Sequence, residues 1–426
     1  MKKLLVLLMV VGALAGRLSA QKTITLNDCY LWVSENTPLI NQKQLYQTAY
    51  NNQNDILEKS KMPSVSWNTR AQVQSDALTF KLPLPGAEPI ELPYYNIQST
   101  IDAGYLLLDG GLLSAKKNIE NANLAANLQS VEVAIYQLKE MVNKYYWGIL
   151  LLEAQGQILE TGIEQIDIKI SKLEALVKQG VLLPGSVRKL QAEKLKIANK
   201  LLSIEGQEKS LRALLSEFTG KREVLDAKLT KPTIVRDVFQ SPNNRPELKL
   251  FDLQSQKVLA NKELIDVANK PKLQAFVKAG LGYPSPINLF KTEVSPFAIG
   301  GLQFSWKILD WGQRDRQQQQ LEIQSQIIQS KKENFEFNIN NLKGKYQAEL
   351  TSLQQQVNLD NDLIALQEEI LKEQSAQLEQ GVITSTDYLS QLNEKLQAEL
   401  NKEVHLIQIE QLKVDYLTKV GGSVDH

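Results

Sequence analysis

The chain carries one short sequence twice, as Leu107-Leu108-Asp109-Gly110-Gly111 and, 201 residues later, as Ile308-Leu309-Asp310-Trp311-Gly312. Two further matches have the same offset, namely Gln179-Gly180-Val181 with Gln380-Gly381-Val382, and Glu193-Lys194-Leu195 with Glu394-Lys395-Leu396. Three matches at one offset indicate two copies of one structural unit. The copies meet in a segment that contains Pro232, Pro242 and Pro246 and has no clean hydrophobic period, so we interpret it as an irregular connection.

Upstream of these matches the offset grows to 208, because Pro38 aligns with Pro246. Seven extra residues therefore lie between Pro63 and Asp109 in the first copy. That interval contains the Pro-rich stretch 81–93, which we interpret as a loop, since loops absorb insertions. The predicted organisation is a signal peptide at 1–20, a first repeat at 21–220, a connecting segment at 221–245 and a second repeat at 246–426.

Heptad periodicity predicts long helices in both copies. In the first copy, apolar residues recur at alternating spacings of three and four from Leu128 to Val177, and only Gly156 breaks the stripe. A helix over about 111–178 would be roughly 100 Å long at 1.5 Å per residue. Shorter return helices are expected at about 184–219 and 385–419, with the second long helix at about 312–379. Taken alone, such stripes are typical of an elongated coiled-coil protein.

Period-two alternation predicts two strands in each copy. The alternating segments are 64–78 and 94–108 in the first copy, and 272–283 and 297–309 in the second. Each can reach the roughly 9–11 residues that a tilted strand needs to cross a bilayer. Two hairpins on a soluble core would give the same alternation. Aromatic residues near the strand ends and the predicted export favour membrane strands.

Composition excludes several function classes. Lys+Arg and Asp+Glu both total 48, so there is no basic surplus to indicate a nucleic-acid partner. Cys29 is the single cysteine, and His405 and His426 are the two histidines. These counts argue against a disulfide framework, a thiolate metal cluster and most histidine-dependent catalysis. We therefore predict no enzyme activity, no metal site and no cofactor.

The first twenty residues resemble an export signal. Lys2 and Lys3 precede an apolar run, Leu4 to Ala15, which is too short to span a bilayer as a helix. Leu18-Ser19-Ala20 then resembles a signal-peptidase site, with cleavage before Gln21. The mature protein is expected outside the cytoplasm, either soluble or held in a membrane by β-strands.

Four strands cannot close a barrel, and lipid does not tolerate an open strand edge. The chain must therefore oligomerise if its strands enter a membrane. A dimer would give eight strands and a filled interior, whereas a trimer would give twelve strands and room for water. A trimer is favoured because charged residues on the inward face need hydration; these candidates are Arg70, Asp102, Lys272, Lys278 and Lys307.

The repeat of helix, strand, strand, long helix and helix, with Asp109, Gly111, Asp310 and Gly312 at the strand–helix junctions, resembles the TolC-like outer-membrane efflux family. The resemblance covers nearly all of residues 21–420. It implies a mainly α fold with membrane β-strands, in which a homotrimer forms a twelve-stranded β-barrel in outer-membrane lipid that continues into a twelve-helix periplasmic α-barrel. It also implies an exit duct for efflux or type I secretion, supplied by a periplasmic adaptor and an inner-membrane transporter.

A second match is the segment Gly381-Val382-Ile383-Thr384-Ser385-Thr386-Asp387-Tyr388-Leu389, which is similar to the family's turn at the periplasmic tip. By this resemblance Asp387 would contribute to an acidic ring at the entrance. Ser390 and Ile383 replace a second acid and a gating arginine, so a doubled ring is not expected. Asp387 could equally be the N-cap of the last helix.

Two function classes remain open at this point. One is a passive outer-membrane channel, and the other is an exported coiled-coil stalk or spacer without channel activity. The sequence does not identify the cargo, which could be drugs, metal ions or proteins.

Overall fold

The structure, a computed structural model, describes residues 23–80, 86, 89–288 and 291–424. The predicted signal peptide 1–20, part of the Pro-rich stretch 81–93 and His426 lie outside the described residues.

Helices account for most of the described chain. The α-helices, in chain order, are α1 (Leu26–Asn36), α2 (Leu39–Lys59), α3 (Leu112–Lys178), α4 (Pro184–Thr219), α5 (Pro246–Ala268), α6 (Gln313–Glu379) and α7 (Ser385–Val420). Helices α3 and α6 have 67 residues each, and α4 and α7 have 36 each. Each bound of α6 and α7 lies 201 residues after the matching bound of α3 and α4, so the sequence repeat is also a repeat of helix length.

The strands form one larger sheet and two small ladders. The strands are β1 (Thr23–Ile24), β2 (Ser64–Val73), β3 (Thr79–Phe80), β4 (Ile90–Glu91), β5 (Tyr95–Leu108), β6 (Lys228–Leu229), β7 (Lys272–Tyr283) and β8 (Ser295–Ser305). The larger sheet has the order β2-β5-β7-β8, and all of its neighbours are antiparallel. Strands β2 and β8 are its edges. The β3–β4 ladder places two residues of the predicted loop, Ile90 and Glu91, in a short strand.

The central pairing joins the two sequence copies, because β5 belongs to the first copy and β7 to the second. Its register is regular from Ile97, opposite Tyr283, to Leu106, opposite Gln274. Leu107 is then an extra residue, since Leu108 pairs with Leu273. A bulge of this kind turns the residues beyond it to the other face of the sheet. The simple alternation predicted through Leu107 therefore stops one residue short.

The chain divides into two compact units, and each unit takes residues from both sequence copies. Unit 1 comprises residues 1–42, 131–248 and 333–426, and unit 2 comprises 43–130 and 249–332. The sheet and the neighbouring parts of α3 and α6 belong to unit 2. Unit 1 contains α1, α4 and α7 with the remaining parts of α3 and α6.

Unit 1 has two main apolar clusters. One surrounds Trp147 and Tyr146 of α3, and the Tyr146 hydroxyl donates to the carbonyl oxygens of Ile24 (2.8 Å) and Thr230 (2.6 Å). The other cluster is built from α3, α4, α6 and α7, with Leu173, Leu190, Leu378 and Leu392 fully buried at its centre. The predicted heptad stripe of α3 contributes to both clusters.

The segment 221–245, predicted to be irregular, is tied to unit 1 by short elements. It contains 3-10 turns at Arg222–Leu225 and Val238–Gln240, and β6 pairs in parallel with β1. Val224 and Val238 are almost fully buried. The segment is therefore packed, although it has no long helix or strand.

Over the ranges described above, no helix is both long enough and apolar enough to cross a bilayer.

Candidate functional site

Polar and charged side chains share one face of the sheet in unit 2. Strand alternation places Arg70 of β2, Asp102 of β5, and Lys272 and Lys278 of β7 on this face, because Asp102 pairs with both Ser66 and Lys278 in the register. The structure thus brings four of the five predicted pore-lining residues to the same side of one sheet.

Asp102 is the most tightly held member of this group. Its side chain accepts a hydrogen bond from the Asn68 amide at 2.7 Å, while its other oxygen is buried without a hydrogen-bond partner. Lys278 lies directly opposite Asp102 on β7. Opposed charges at paired positions are favourable, and they keep this face hydrophilic.

Lys307, the fifth predicted pore-lining residue, lies beyond the end of strand β8 and not within it. Strand β8 ends at Ser305, which pairs with Lys272, the first residue of β7. The preceding residue, Pro271, has no amide hydrogen and cannot extend the ladder. Lys307 therefore follows the strand, and its Nζ donates to the side chain of Gln313 at 3.2 Å.

The opposite face of the sheet is apolar, and no other described part of the chain covers it. Trp67 is 78% exposed, Val73 81% and Phe304 63%. Ile101 and Leu302 share this face and are also exposed. Soluble proteins rarely expose a contiguous apolar surface of this kind unless it contacts a partner or a membrane.

The two strand–helix junctions have the same geometry. The Asp109 carboxylate accepts from the backbone N–H groups of Gly111 (2.8 Å) and Leu113 (2.9 Å). Asp310 accepts from the matching groups of Gly312 (3.1 Å) and Arg314 (3.2 Å). Each aspartate thus accepts hydrogen bonds from amides at the start of a 67-residue helix, so both junction aspartates are helix caps.

Hydrogen bonding lowers the pKa of both junction aspartates. For Asp109, the bonds from the Leu113 and Gly111 amides are the main cause. For Asp310, desolvation raises the pKa, but bonds from Asn269 and from the amides of Arg314 and Gly312 outweigh it. Both caps are therefore ionised at neutral pH.

The helical turns at the ends of α3 and α6 also match each other. Gly180 and Gly381 both adopt a left-handed backbone conformation, with φ of 78° and 74°. The following amides, Val181 and Val382, donate five residues back to Leu176 (2.9 Å) and Gln377 (2.8 Å). This is a glycine-terminated helix end. Gly381, a predicted entrance residue, thus ends helix α6.

The two turns differ where the next helix begins. Helix α4 begins with Leu183 as N-cap and Pro184 at the first position, without a side-chain cap. Helix α7 has Thr384 as N-cap, and Asp387 is its third residue. The Asp387 carboxylate accepts from the Thr384 amide (2.9 Å) and hydroxyl (2.7 Å). The N-cap interpretation of Asp387 was therefore wrong, because the N-cap is Thr384, three residues earlier. Thr384 and Asp387 together form a capping box.

Asp387 and Ser390 are exposed at the start of α7. The hydrogen bonds from Thr384 are the main cause of a lowered pKa of Asp387, and the nearby charge of Lys189 lowers it further. Lys189 of α4 donates to the Thr386 hydroxyl at 2.6 Å. A positive charge from the first copy thus lies beside the predicted acidic position of the second copy.

Sequence reasoning missed a buried ion pair near this turn. Lys169 of α3 is 4% exposed and donates to Glu379 (2.8 Å) and to the Ser375 carbonyl (3.0 Å). Its ammonium group also lies 5.1 Å from the centre of the Tyr388 ring. Lys169 lies outside the α3 stripe, and burial of a lysine cannot be read from a heptad pattern.

Comparison with solved structures identifies the fold. VceC, an outer-membrane protein of Vibrio cholerae, superposes with a TM-score of 0.64 at 13% identity, covering 94% of this chain and 97% of VceC. The Campylobacter jejuni CmeC outer-membrane channel gives 0.60 at 13% identity, over 93% of this chain and 85% of CmeC. The open-state MtrE channel of Neisseria gonorrhoeae gives 0.60 at 14% identity, over 94% and 89%.

No protein-family model matches the sequence, and no curated protein aligns with it. Of these three, the CmeC and MtrE structures are described as outer-membrane channels, and the chain has the fold that the three share, the TolC-like fold. The resemblance seen in the repeat and the junction motifs is confirmed at the level of the fold.

Proposed function

We propose that the chain is a subunit of a homotrimeric outer-membrane channel, which serves as the passive exit duct of a tripartite efflux or type I secretion system. The observation that carries the proposal is the sheet β2-β5-β7-β8, which has an apolar face, a charged face and two long edges that pair with no other described strand. We propose no catalytic role for it.

Closure of several copies of the sheet into a barrel would pair the edge strands β2 and β8. Strands β2 and β8 have 10 and 11 residues, each with one side left to pair. Open edges are not tolerated in lipid, so β8 of one copy would pair with β2 of the next. Three copies would supply twelve strands, and a barrel of twelve strands is wide enough to hold water. Arg70, Asp102 and Lys278 would then line the interior.

The apolar face would contact outer-membrane lipid. A barrel in a bilayer presents an apolar band outward and polar residues inward, and the two faces of this sheet have that division. Trp67 and Phe304 would belong to the outward band.

Apolar residues on the helices also fit neighbouring copies. Leu359, Leu363, Leu366 and Ile370 follow one another on α6 at spacings of four, three and four, and each is at least 40% exposed. Leu195 and Leu202 of α4 are 70% and 64% exposed and lie seven residues apart. Both stripes have coiled-coil spacing, so we propose that they pack between subunits of a periplasmic helical barrel.

The entrance of the duct would be at the turns of unit 1. Around a three-fold axis, three copies of Asp387 would form an acidic ring at the periplasmic end. Lys189, which lies beside Asp387, would offset part of this charge. By resemblance to the TolC-like family, a periplasmic adaptor would dock to the channel, and an inner-membrane transporter would supply selectivity and energy.

Two measurements on purified protein test the proposal. Detergent-solubilised protein should have the mass of a trimer, and it should form conducting pores in planar bilayers. The rival function, an exported coiled-coil stalk, predicts extraction without detergent and no conductance. A stable monomer that needs no detergent would refute the channel.

A further inference from the structure

A cavity of about 310 Å³ lies among α3, α6 and α7, within unit 1. Four of its ten lining residues are lysines: Lys169 and Lys172 of α3, Lys372 of α6 and Lys395 of α7. Glu368 is the only acid in this lining. Neither the proposed channel nor the entrance ring uses this cavity.

Two of the lysines form the floor and two lie at the mouth. Lys169 is 4% exposed and Lys395 is 7% exposed, whereas Lys172 and Lys372 are exposed to solvent. Burying an ammonium group is costly unless negative charge compensates it. The floor therefore depends on nearby anions.

The protein supplies fewer carboxylates than ammonium groups here. Glu379 contacts Lys169 (2.8 Å) and Lys172 (3.9 Å). Lys395 contacts Glu399 (3.0 Å) and Glu368 (3.6 Å). Three carboxylates thus lie within 4.0 Å of the ammonium groups of Lys169, Lys172 and Lys395, and in the described part of the chain Lys372 has no carboxylate that close. The cavity retains a surplus of one positive charge.

The remaining lining is partly apolar. Ile168, Leu371 and the Tyr388 ring border the same space. The cavity is at the lower end of the size range of small-molecule sites. It combines a cationic mouth with an apolar and aromatic wall, which suits a small ligand with one anionic group and a compact hydrocarbon or aromatic body.

We propose that this cavity, here called the lysine cleft, binds a small organic anion. The phosphate or carboxylate group of the ligand lies between Lys172 and Lys372 at the mouth, and its body packs against Tyr388 and Leu371. The bound anion completes the charge balance among α3, α6 and α7. This proposal does not require the chain to be a channel, because binding can be measured on the isolated protein.

Lysine-directed labelling with an anionic aldehyde tests the proposal. Pyridoxal 5′-phosphate forms an imine with a lysine amine as water leaves, and borohydride then reduces the imine to a stable secondary amine. Pyridoxal has the same ring and aldehyde but no phosphate. Labelled lysines are identified by mass spectrometry of the full-length protein in detergent. Lys196 of α4, whose side chain is 74% exposed and contacts Glu193, is the reference for unassisted labelling.

We expect pyridoxal 5′-phosphate to label Lys172 or Lys372 about 10-fold faster than pyridoxal does, after normalisation to Lys196, because a cleft with a surplus of positive charge concentrates anions. Phenyl phosphate and benzoate should slow this labelling, whereas neutral benzyl alcohol should not. Lys395→Met should reduce the advantage of the phosphate reagent several-fold. The matched variant Lys59→Gln, which also removes one positive charge from an exposed side chain outside the cavity, should leave the advantage unchanged.

Two results would overturn the proposal. One is equal preference for the phosphate reagent at Lys172, Lys372 and Lys196. The other is labelling of the mouth lysines that phenyl phosphate and benzoate fail to slow. Both comparisons use the unmodified chain, so misfolding of the Lys395→Met variant does not obscure the outcome.

Discussion

Arg212 joins helix α4 to the segment 221–245, and its removal should destabilise unit 1 more than the removal of any exposed arginine. The side chain is 8% exposed. It donates to Glu208 (2.6 Å), to Glu153, and to the carbonyl oxygens of Val224 and Ala227, both at 2.9 Å. Methionine at this position would keep much of the packing volume but would leave four acceptors without their donor.

The expected cost of Arg212→Met can be bounded from these contacts. Breaking a buried ion pair by removing one partner costs about 3–5 kcal/mol. The Glu153 and Glu208 side chains are 31% and 24% exposed, so water recovers part of the loss. The lower end of the range, about 3 kcal/mol, is therefore expected. Arg314→Met is the matched control, because the Arg314–Asp266 pair is 46% and 39% exposed and should contribute at most about 1 kcal/mol.

The pH dependence gives a second test. Desolvation raises the pKa of Glu153, and the charge of Arg212 opposes that rise. Without Arg212 the folded-state pKa of Glu153 should rise further above its unfolded value. The folded variant then takes up a proton more readily than the unfolded chain. The cost of Arg212→Met should thus be full at neutral pH and should shrink as the pH falls through the raised pKa.

Thermal unfolding of the purified variants in detergent, followed by circular dichroism at several pH values, measures both effects. Adding Glu153→Gln to Arg212→Met should recover part of the lost stability at neutral pH, since the uncompensated carboxylate is gone. Equal losses for Arg212→Met and Arg314→Met, or a loss that does not change with pH, would refute the reasoning.

Three further predictions concern the proposed channel. In planar-bilayer recordings, Asp387→Ala should lower cation selectivity and weaken block by polyvalent cations, whereas Lys189→Gln should raise the selectivity and strengthen the block. Unchanged selectivity in both variants, with trimers intact, would leave Asp387 with only its capping role. Cysteines introduced separately at Val73 and Arg70, in addition to the buried native Cys29, should differ in labelling by a water-soluble maleimide, with position 70 reactive and position 73 protected by lipid. The reverse result would mean that the register is shifted by one residue. Gly280→Ala should prevent assembly, measured as loss of trimer in detergent, because a Cβ there would lie 2.1 Å from a backbone oxygen of the paired strand β5; normal trimer yield would show that the β5–β7 pairing is looser than described.

Patterns with a fixed period were sufficient to predict the coarse fold. The α3 stripe and the alternation along the strands depend on the placement of many residues, so single exceptions such as Gly156 did not obscure them. The 201-residue offset added independent support, because it tied the two copies to a common arrangement. The mainly helical fold with strand pairs in both copies could therefore be inferred from the sequence alone.

Features set by single contacts could not be inferred in the same way. The end of β8 at Ser305 depends on the missing amide of Pro271 on the neighbouring strand, and the sequence alone does not specify which strand that is. The bulge at Leu107 likewise appears only when β5 and β7 are paired.

Buried charges were the largest omission at the candidate site. Lys169, Lys395 and Arg212 occupy polar positions of helices and resemble solvated residues in the sequence. Their burial arises from neighbours on other helices that are far away along the chain. The capping box does have a signal in the sequence, since Thr384 and Asp387 have the spacing that it requires.

The equal lengths of the helix pairs have a consequence for how such a gene can change. Deleting one residue from α3 would rotate everything after it by about 100° and draw it back by 1.5 Å, so its buried stripe would no longer meet α4, α6 and α7. A compensating deletion would be needed near the same level of α6, in the other half of the gene. Point substitutions carry no such demand, and α3 and α6 differ at most positions while keeping the same number of residues. In this protein the number of residues between a junction aspartate and its turn glycine is more tightly constrained than the identity of those residues.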